Sequence, residues 1–306
     1  MASAPLSRSL AVANPRTGID DYRIEPLDST AVAALATRLR AAQPDWAGLS
    51  LAARLEALGA FIAALNDHAD AIMATLSQDT GRRTIARVEL DGIKAMLACW
   101  SRDASGLVNG VESQRMPTAV ASITSSTRLH PYPLVGVISP WNCPLTLTLT
   151  LTLNDAIPAL AAGCAVIVNP SEITPRFIRS LMQAIASVPA LASVFAVIES
   201  DGDTGAALVD IVDFIAFAGS VATGRKVGES AARAFIPVNL ELGGKDPMLV
   251  LASANPVAAA NTGAFGLSGL GPSRMGASGR QRFFRRQALL RQTGAPLPLA
   301  AYAERG

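Results

Sequence analysis

The stretch Leu134-Val-Gly-Val-Ile-Ser-Pro140, LVGVISP, is a short continuous apolar run that stops at a Ser-Pro pair. The same outline returns downstream as CAVIVNP at 164–170, SVFAVIE at 193–199, VDFIAFAGS at 212–220 and PVNLELGG at 237–244. A brief apolar run closed by turn residues reads as a strand buried on both faces. Helix-length segments separate these runs, among them 175–187. Parallel strands need crossovers, so strands alternating with helices predict a doubly wound parallel sheet of the α/β class.

Upstream the rhythm differs. Between Ser29 and Cys99 apolar residues recur three and four apart, as in Leu51, Leu55, Leu58, Ile62 and Leu65, which predicts amphipathic helices with Asp28 and Ser50 as caps. The Ser/Thr-rich string AVASITSSTR at 119–128 predicts extended chain, a sheet excursion near 119–133. One run reads two ways: PLTLTLTLTLND at 144–155 alternates like a strand. Its position between two parallel strands, and its continuation into AIPALAAG with a stop at Gly163, favour a crossover helix.

Composition bounds the function. Of 306 residues, 50% are hydrophobic and 16% charged, which excludes disorder for most of the chain. The net charge of +2 gives no ground for a nucleic-acid partner or a membrane surface. Arg280, Arg282, Arg285, Arg286 and Arg291 cluster near the end and read as a solvated basic helix face. Cys99, Cys143 and Cys164 lack metal-ligand spacing, so no metal is expected and reduced thiols in the cytoplasm are. The sequence shows neither an apolar leader region nor an uninterrupted apolar run of about 18 residues, so a soluble, unexported chain is expected.

Four segments carry candidate chemistry. In SPWNCP, Asn142 follows a strand, where a carboxamide could hold an oxyanion or cap a helix. In NPSE, Glu172 could bind a ribose diol or sit as an ordinary helix-start carboxylate. In FAGSVATG, Gly219 and Gly224 frame a strand-to-helix turn, which could take a phosphate or be merely a tight turn. In NLELGGKDP, Glu241 puts a carboxylate at the end of a buried strand, a costly position unless the group is paired or used.

In order and spacing, VGVISPWNCP, ALAAGCAVIVNPSEITP, FAGSVATGRKV and LELGGKDP, collinear from Val135 to Pro247, resemble the NAD(P)-dependent aldehyde dehydrogenase superfamily. The resemblance covers roughly the first 260 residues. It implies a Rossmann-type nucleotide-binding domain with N-terminal helices over 1–241, interrupted by an oligomerisation-type excursion near 119–133. Residues 242–306 would be a remnant of a truncated catalytic domain plus the C-terminal tail. The implied activity is oxidation of a small aldehyde to a carboxylic acid with reduction of NAD(P), in a homo-oligomer.

By the same resemblance Asn142 is the oxyanion-holding residue and Glu241 the general base. Ile138, Ser139, Trp141 and Leu242 line the nucleotide pocket, Asn169 and Glu172 face the ribose, and Gly219, Ser220 and Gly224 form the phosphate turn. Two positions depart from the family: Asn169 replaces the Lys of KPSE, and Ala218 the Thr of FTGS. Loss of that cation, with Glu172 kept to repel a 2′-phosphate, makes NAD the expected cofactor rather than NADP.

The family's nucleophile lies downstream of the general base in a Gly-Gln-x-Cys loop, yet no cysteine follows Cys164 here. Residues Asn261–Leu270 read as the join of an internal deletion. Cys143, beside Asn142, reads as a small buried hydrophobe. The expected function is thus an impaired aldehyde dehydrogenase, the alternative being a non-catalytic NAD-binding or subunit-associating remnant. Apolar surface near Leu249–Leu251 would lack its cover and promote association.

Overall fold

A computed structural model describes residues 9–103, 113–117, 122–145, 152–244, 253, 266–271, 279 and 281–293. The chain opens with an antiparallel hairpin that the sequence had not signalled, β1 (Leu10–Ala13) and β2 (Asp20–Ile24). Four helices follow: α1 (Ser29–Gly48), α2 (Leu51–Asp67), α3 (Ala69–Thr80) and α4 (Arg83–Asp103). The expected caps are in place. The Asp28 carboxylate accepts the Ala31 N–H at 2.7 Å, and the Ser50 hydroxyl accepts that of Ala53 at 3.2 Å.

Next come β3 (Ser113–Pro117), β4 (Ser122–Pro131), β5 (Leu134–Ile138), α5 (Thr152–Ala162), β6 (Ala165–Asn169), α6 (Ile178–Ala186) and α7 (Pro189–Ala192). The chain continues through β7 (Phe195–Val197), α8 (Gly202–Val209), β8 (Phe214–Ala218), α9 (Val221–Arg233), β9 (Val238–Glu241), β10 (Gly269–Leu270) and β11 (Phe284–Thr293). The crossover helix expected from the Leu/Thr run is present from Thr152; positions 146–151 of that run lie outside the described residues.

The main sheet has the order β10-β9-β8-β5-β6-β7, with β9 to β7 parallel and β10 antiparallel. Every residue of β6 and β8 is buried. Successive side chains point to opposite faces, so both faces are covered, as a doubly wound sheet requires. Among the described residues no helix is long and apolar enough to cross a membrane.

The covering layers are joined to α5 through its carbonyl end. Trp46 Nε1 donates to Leu160 O (2.9 Å), Arg54 Nε to Ala161 O (2.9 Å) and Gln43 Nε2 to Gly163 O (2.8 Å). These buried donors meet the last-turn acceptors that a helix cannot satisfy itself. Gly163 turns the chain at φ 104, and a Cβ there would lie 3.3 Å from Ala47 Cα, so the position requires glycine.

The excursion is real and larger than expected, since β3, β4 and β11 form an antiparallel sheet in the order β11-β4-β3. Positions 119–121 of it lie outside the described residues. Over Phe284–Thr293 the Arg-rich tail corrects the sequence reading, being a strand and not a helix; Arg280 lies outside the described residues. Each residue of β11 from Phe284 to Thr293 is registered against β4 from Pro131 to Ser122. Pairing with β4 satisfies one edge of the tail's backbone and leaves Arg285, Arg286 and Arg291 exposed. Arg282 is the exception, buried in an ion pair with Asp155 and donating to Asn239 Oδ1 at 3.4 Å.

Beside it Phe283 is fully buried, its ring 5.4 Å from that of Phe214 on β8. Chain near the end is thereby part of the core. Leu249–Leu251, whose exposure the sequence suggested, lie outside the described residues; the outer edge of β9 pairs with β10.

Phe283→Ala is expected to lower unfolding free energy by about 3–5 kcal/mol, as large-to-small changes in packed cores do. Leu290→Ala, at a side chain that is 72% exposed, should change it by less than about 0.5 kcal/mol. Urea denaturation of the two variants checks the contrast.

Candidate functional site

Strand order reverses between β5 and β8, because the chain passes from β5 outward to β7 and then returns to the other side of β5. Crossovers leaving neighbouring strands in opposite directions open a crevice at the strands' carboxyl ends. A cavity of about 710 Å³ lies there. Its wall is made by the segments that follow all five parallel strands: Ile138–Asn142, Asn169–Glu172, Asp201–Gly205, Phe217–Ser220 and Glu241–Gly243.

Every expected site residue except Gly224 lines this cavity: Asn142, Glu241, Ile138, Ser139, Trp141, Asn169, Glu172, Gly219, Ser220 and Leu242. Gly224 stands just behind the wall, where a Cβ would collide with the Leu242 side chain. Its lack of a side chain lets the first turn of α9 close onto the end of β9.

Hydrogen bonds lock these segments to one another. Ser139 N donates to Asn169 O at 3.1 Å, and Gly219 N donates to Glu241 O at 3.1 Å. Thr174 Oγ1 donates to Trp141 O at 3.4 Å, tying the Glu172 turn to the Asn142 loop. Ser220 caps α9, its hydroxyl accepting the Thr223 N–H at 3.1 Å. First-turn N–H groups have no intrahelical acceptor, and Ser220 takes only that of Thr223, so the helix N-terminus retains donors for an anion.

Two polar atoms in the wall are left over. The Ser139 hydroxyl and the Asn169 carboxamide oxygen are buried and have no hydrogen-bond partner among the described residues. A buried polar group without a partner costs free energy, so these atoms suit a polar ligand that supplies the missing bonds. Asn169 therefore fits a ligand by its own carboxamide, whatever cation its position lacks.

Around the cavity mouth, Trp141 and Asn142 are exposed, while Cys143 is buried beside them. Glu89, buried on α4, accepts the Leu145 N–H at 2.8 Å and so anchors the loop that bears Asn142. Sequence reasoning missed Glu89, since a lone carboxylate in a helical pattern carries no signal of its distant partner. It also missed Asp201, Thr223, Lys226 and Ser230, which line the cavity. The spacing of the last three, once α9 is begun at Ser220, places them on one helix face and could have revealed them.

Cys164 is fully enclosed, and burial pushes its thiol well above the usual range. Its Sγ lies 3.6 Å from Phe283 O. A protonated, inaccessible thiol is a poor nucleophile.

Comparison with known proteins points to one family. The aldehyde dehydrogenase family model matches residues 2–270. The chain is similar to a Mycolicibacterium smegmatis protein provisionally named a succinate-semialdehyde dehydrogenase [NADP(+)], with 34% identity over 222 residues, 72% of this chain and 42% of that one. It is also 36% identical over 239 residues to a 4,4'-diapolycopene aldehyde oxidase of Methylomonas sp, covering 76% of this chain and 44% of that one. The chain thus spans less than half the length of these curated relatives. A solved structure from Anabaena variabilis, PutA, provisionally named an aldehyde dehydrogenase, superposes with a TM-score of 0.82 at 28% identity, covering 95% of this chain and 99% of that one.

Native protein treated with a thiol alkylator near pH 8 should leave Cys164 unmodified, and denaturant should expose it. Peptide mass mapping reads the site directly; prompt native labelling of Cys164 would contradict its burial.

Proposed function

The chain belongs to the aldehyde dehydrogenase family, and from that premise we propose that it binds NAD(P) through a nucleotide-binding unit formed by residues up to Glu241, without oxidising aldehydes by itself. The observation that carries this reading is a pair of buried polar atoms, Ser139 Oγ and Asn169 Oδ1, that have no hydrogen-bond partner among the described residues, on the wall of a cavity at the strand-order switch. Both fit a ligand rich in hydroxyl and phosphate groups. The Glu172 carboxylate suits the hydroxyls of a ribose, and the N-terminus of α9 beside Gly219 and Ser220 suits a diphosphate.

A dinucleotide held by these residues would supply a hydride acceptor for oxidation of an aldehyde. This chain's own contribution to such chemistry is Asn142, whose carboxamide N–H can donate to a developing oxyanion, and Glu241, whose carboxylate can take a proton from attacking water. Covalent catalysis further needs an activated nucleophile. Cys164 is enclosed and protonated, Cys143 is buried, and no cysteine follows Glu241 in the sequence. Nucleotide binding without turnover is the function these residues support.

A second reading, subunit association, draws support from the three-stranded sheet. β11 lies at its edge and exposes Leu290 among its arginines. Unpaired strand edges promote pairing between chains.

Calorimetric titration of the folded chain with NAD should give weak, saturable heat, and Glu172→Gln should weaken it by about tenfold, as loss of a charge-assisted hydrogen bond does. No heat with a folded protein at high nucleotide concentration would overturn the binding reading. Steady NAD-dependent oxidation of small aldehydes is expected to be absent; turnover that vanishes in Cys143→Ala would make Cys143 the nucleophile instead.

Light scattering after size exclusion should report a mass above that of the monomer. One monodisperse monomer peak across a tenfold concentration range would exclude association.

A further inference from the structure

No residue of the β1–β2 hairpin lines the cavity, yet the cavity segments that follow β6 and β7 are both fastened to it or to the chain just past it. The first segment presents Glu172 to the cavity and Arg176 to the hairpin. Arg176 is buried, pairs with Asp21 of β2 and donates to Val12 O of β1 at 3.3 Å. The second segment presents Asp201 and Gly202 to the cavity, while Glu199 and Thr204 hold the chain that leaves β2. The Glu199 carboxylate accepts the Glu25 N–H at 2.9 Å, its carbonyl accepts that of Leu27 at 3.3 Å, and Thr204 Oγ1 donates to Leu27 O at 2.9 Å. Arg179 joins the two fastenings: it donates to Glu199 at 3.1 Å and, like Arg176, stands over the Tyr22 ring, 5.2 Å from its centre. Ser200, donating to Pro170 O at 2.6 Å, locks the two segments to each other.

The hairpin is the element able to leave as a unit. β1 and β2 form a two-stranded sheet of their own, and such a pair is marginal in water without something to pack on. Among its side chains only Val12 and Ile24 are buried apolar ones, so docking rests largely on charge and hydrogen bonds. Docking also encloses the Tyr22 hydroxyl, which has no hydrogen-bond partner among the described residues, and that opposes it. Units with few buried apolar contacts open before the core does. Undocking takes Asp21 and Val12 from Arg176 and the Glu25 N–H from Glu199, so both cavity segments lose contacts that fix their outer sides. A ligand that needs those segments in place favours the docked hairpin, and by linkage the docked hairpin favours the ligand.

Resting on the dinucleotide reading above, we infer that the β1–β2 hairpin regulates the cavity from outside it. Docked, it holds the Glu172 and Asp201 segments for the dinucleotide, and the bound dinucleotide holds the hairpin docked.

The test combines amide hydrogen exchange, read by mass spectrometry, with calorimetric titration of NAD into the full chain as wild type, Asn14→Ala, Asp21→Ala and Asp91→Ala. Asn14→Ala removes the exposed 2.9 Å bond that Asn14 donates to Asp21. Asp21→Ala removes one partner of Arg176 and leaves it Asp79. Asp91, in an exposed pair with Arg87 on α4, is the control. Saturating NAD is expected to slow exchange of the 10–24 amides severalfold, although none of these residues lines the cavity. Both hairpin variants should speed that exchange and weaken NAD by about fivefold, the lower end of couplings between distinct sites, while Asp91→Ala changes neither. Hairpin exchange that ignores saturating NAD would overturn the inference, as would weakened NAD binding in Asp21→Ala without faster hairpin exchange. If Asp21→Ala does not fold, Asn14→Ala decides, because it keeps both ion pairs of Arg176. A folded wild type that binds no NAD would overturn the dinucleotide reading itself, and this inference with it.

Discussion

The reversal of strand order between β5 and β8 is the constraint on which the site depends. Two adjacent parallel strands whose connections leave in opposite directions cannot both be covered at their carboxyl ends. The crevice is therefore a consequence of topology, and the residues just past each strand become its lining whatever their identity. What the identities add is chemistry: among the described residues Ser139 and Asn169 leave polar atoms unsatisfied in the wall, and Ser220 begins a helix whose N-terminus faces the same space. The hydrogen bonds Ser139 N to Asn169 O and Gly219 N to Glu241 O hold neighbouring strand ends in register.

Distant segments are brought together around that sheet by buried arginines. Arg176 pairs with Asp79 at the end of α3 and with Asp21 in β2, so it ties the N-terminal hairpin to α3 and to the chain entering α6. Arg282 pairs with Asp155 on α5 and brings the C-terminal chain under the sheet, where Phe283 packs on Phe214. Such pairs add little net stability over apolar residues of the same size, because burying both charges is costly. Removing one partner strands the other, so each pair disfavours arrangements in which these segments are apart.

A chain that spans less than half of its curated relatives nonetheless forms a six-stranded, mostly parallel sheet. The pairing of β10 with the outer edge of β9 and the return of Phe283 to the core account for this, since both cover surface that the parallel sheet would otherwise expose. The superposition with PutA of Anabaena variabilis over 99% of that chain gives this short architecture a counterpart among solved structures.

The sequence by itself determined the parallel sheet, the helix caps at Asp28 and Ser50, and the part of the cavity lining that directly follows the strands. Those features are local: apolar runs of strand length, capping side chains and glycine turns act within a few residues of themselves. Tertiary structure alone decided the rest. Nothing in FRRQALLRQT states that its partner is Ser122–Pro131, more than 150 positions earlier, so an Arg-rich segment that reads as a helix becomes a strand through pairing. Lys226 and Glu89 likewise gain their meaning only when α9 and α4 are packed. A charge on a helix is unremarkable until the fold decides which wall it stands in, because electrostatic and hydrogen-bond partners are chosen by distance in space and not along the chain.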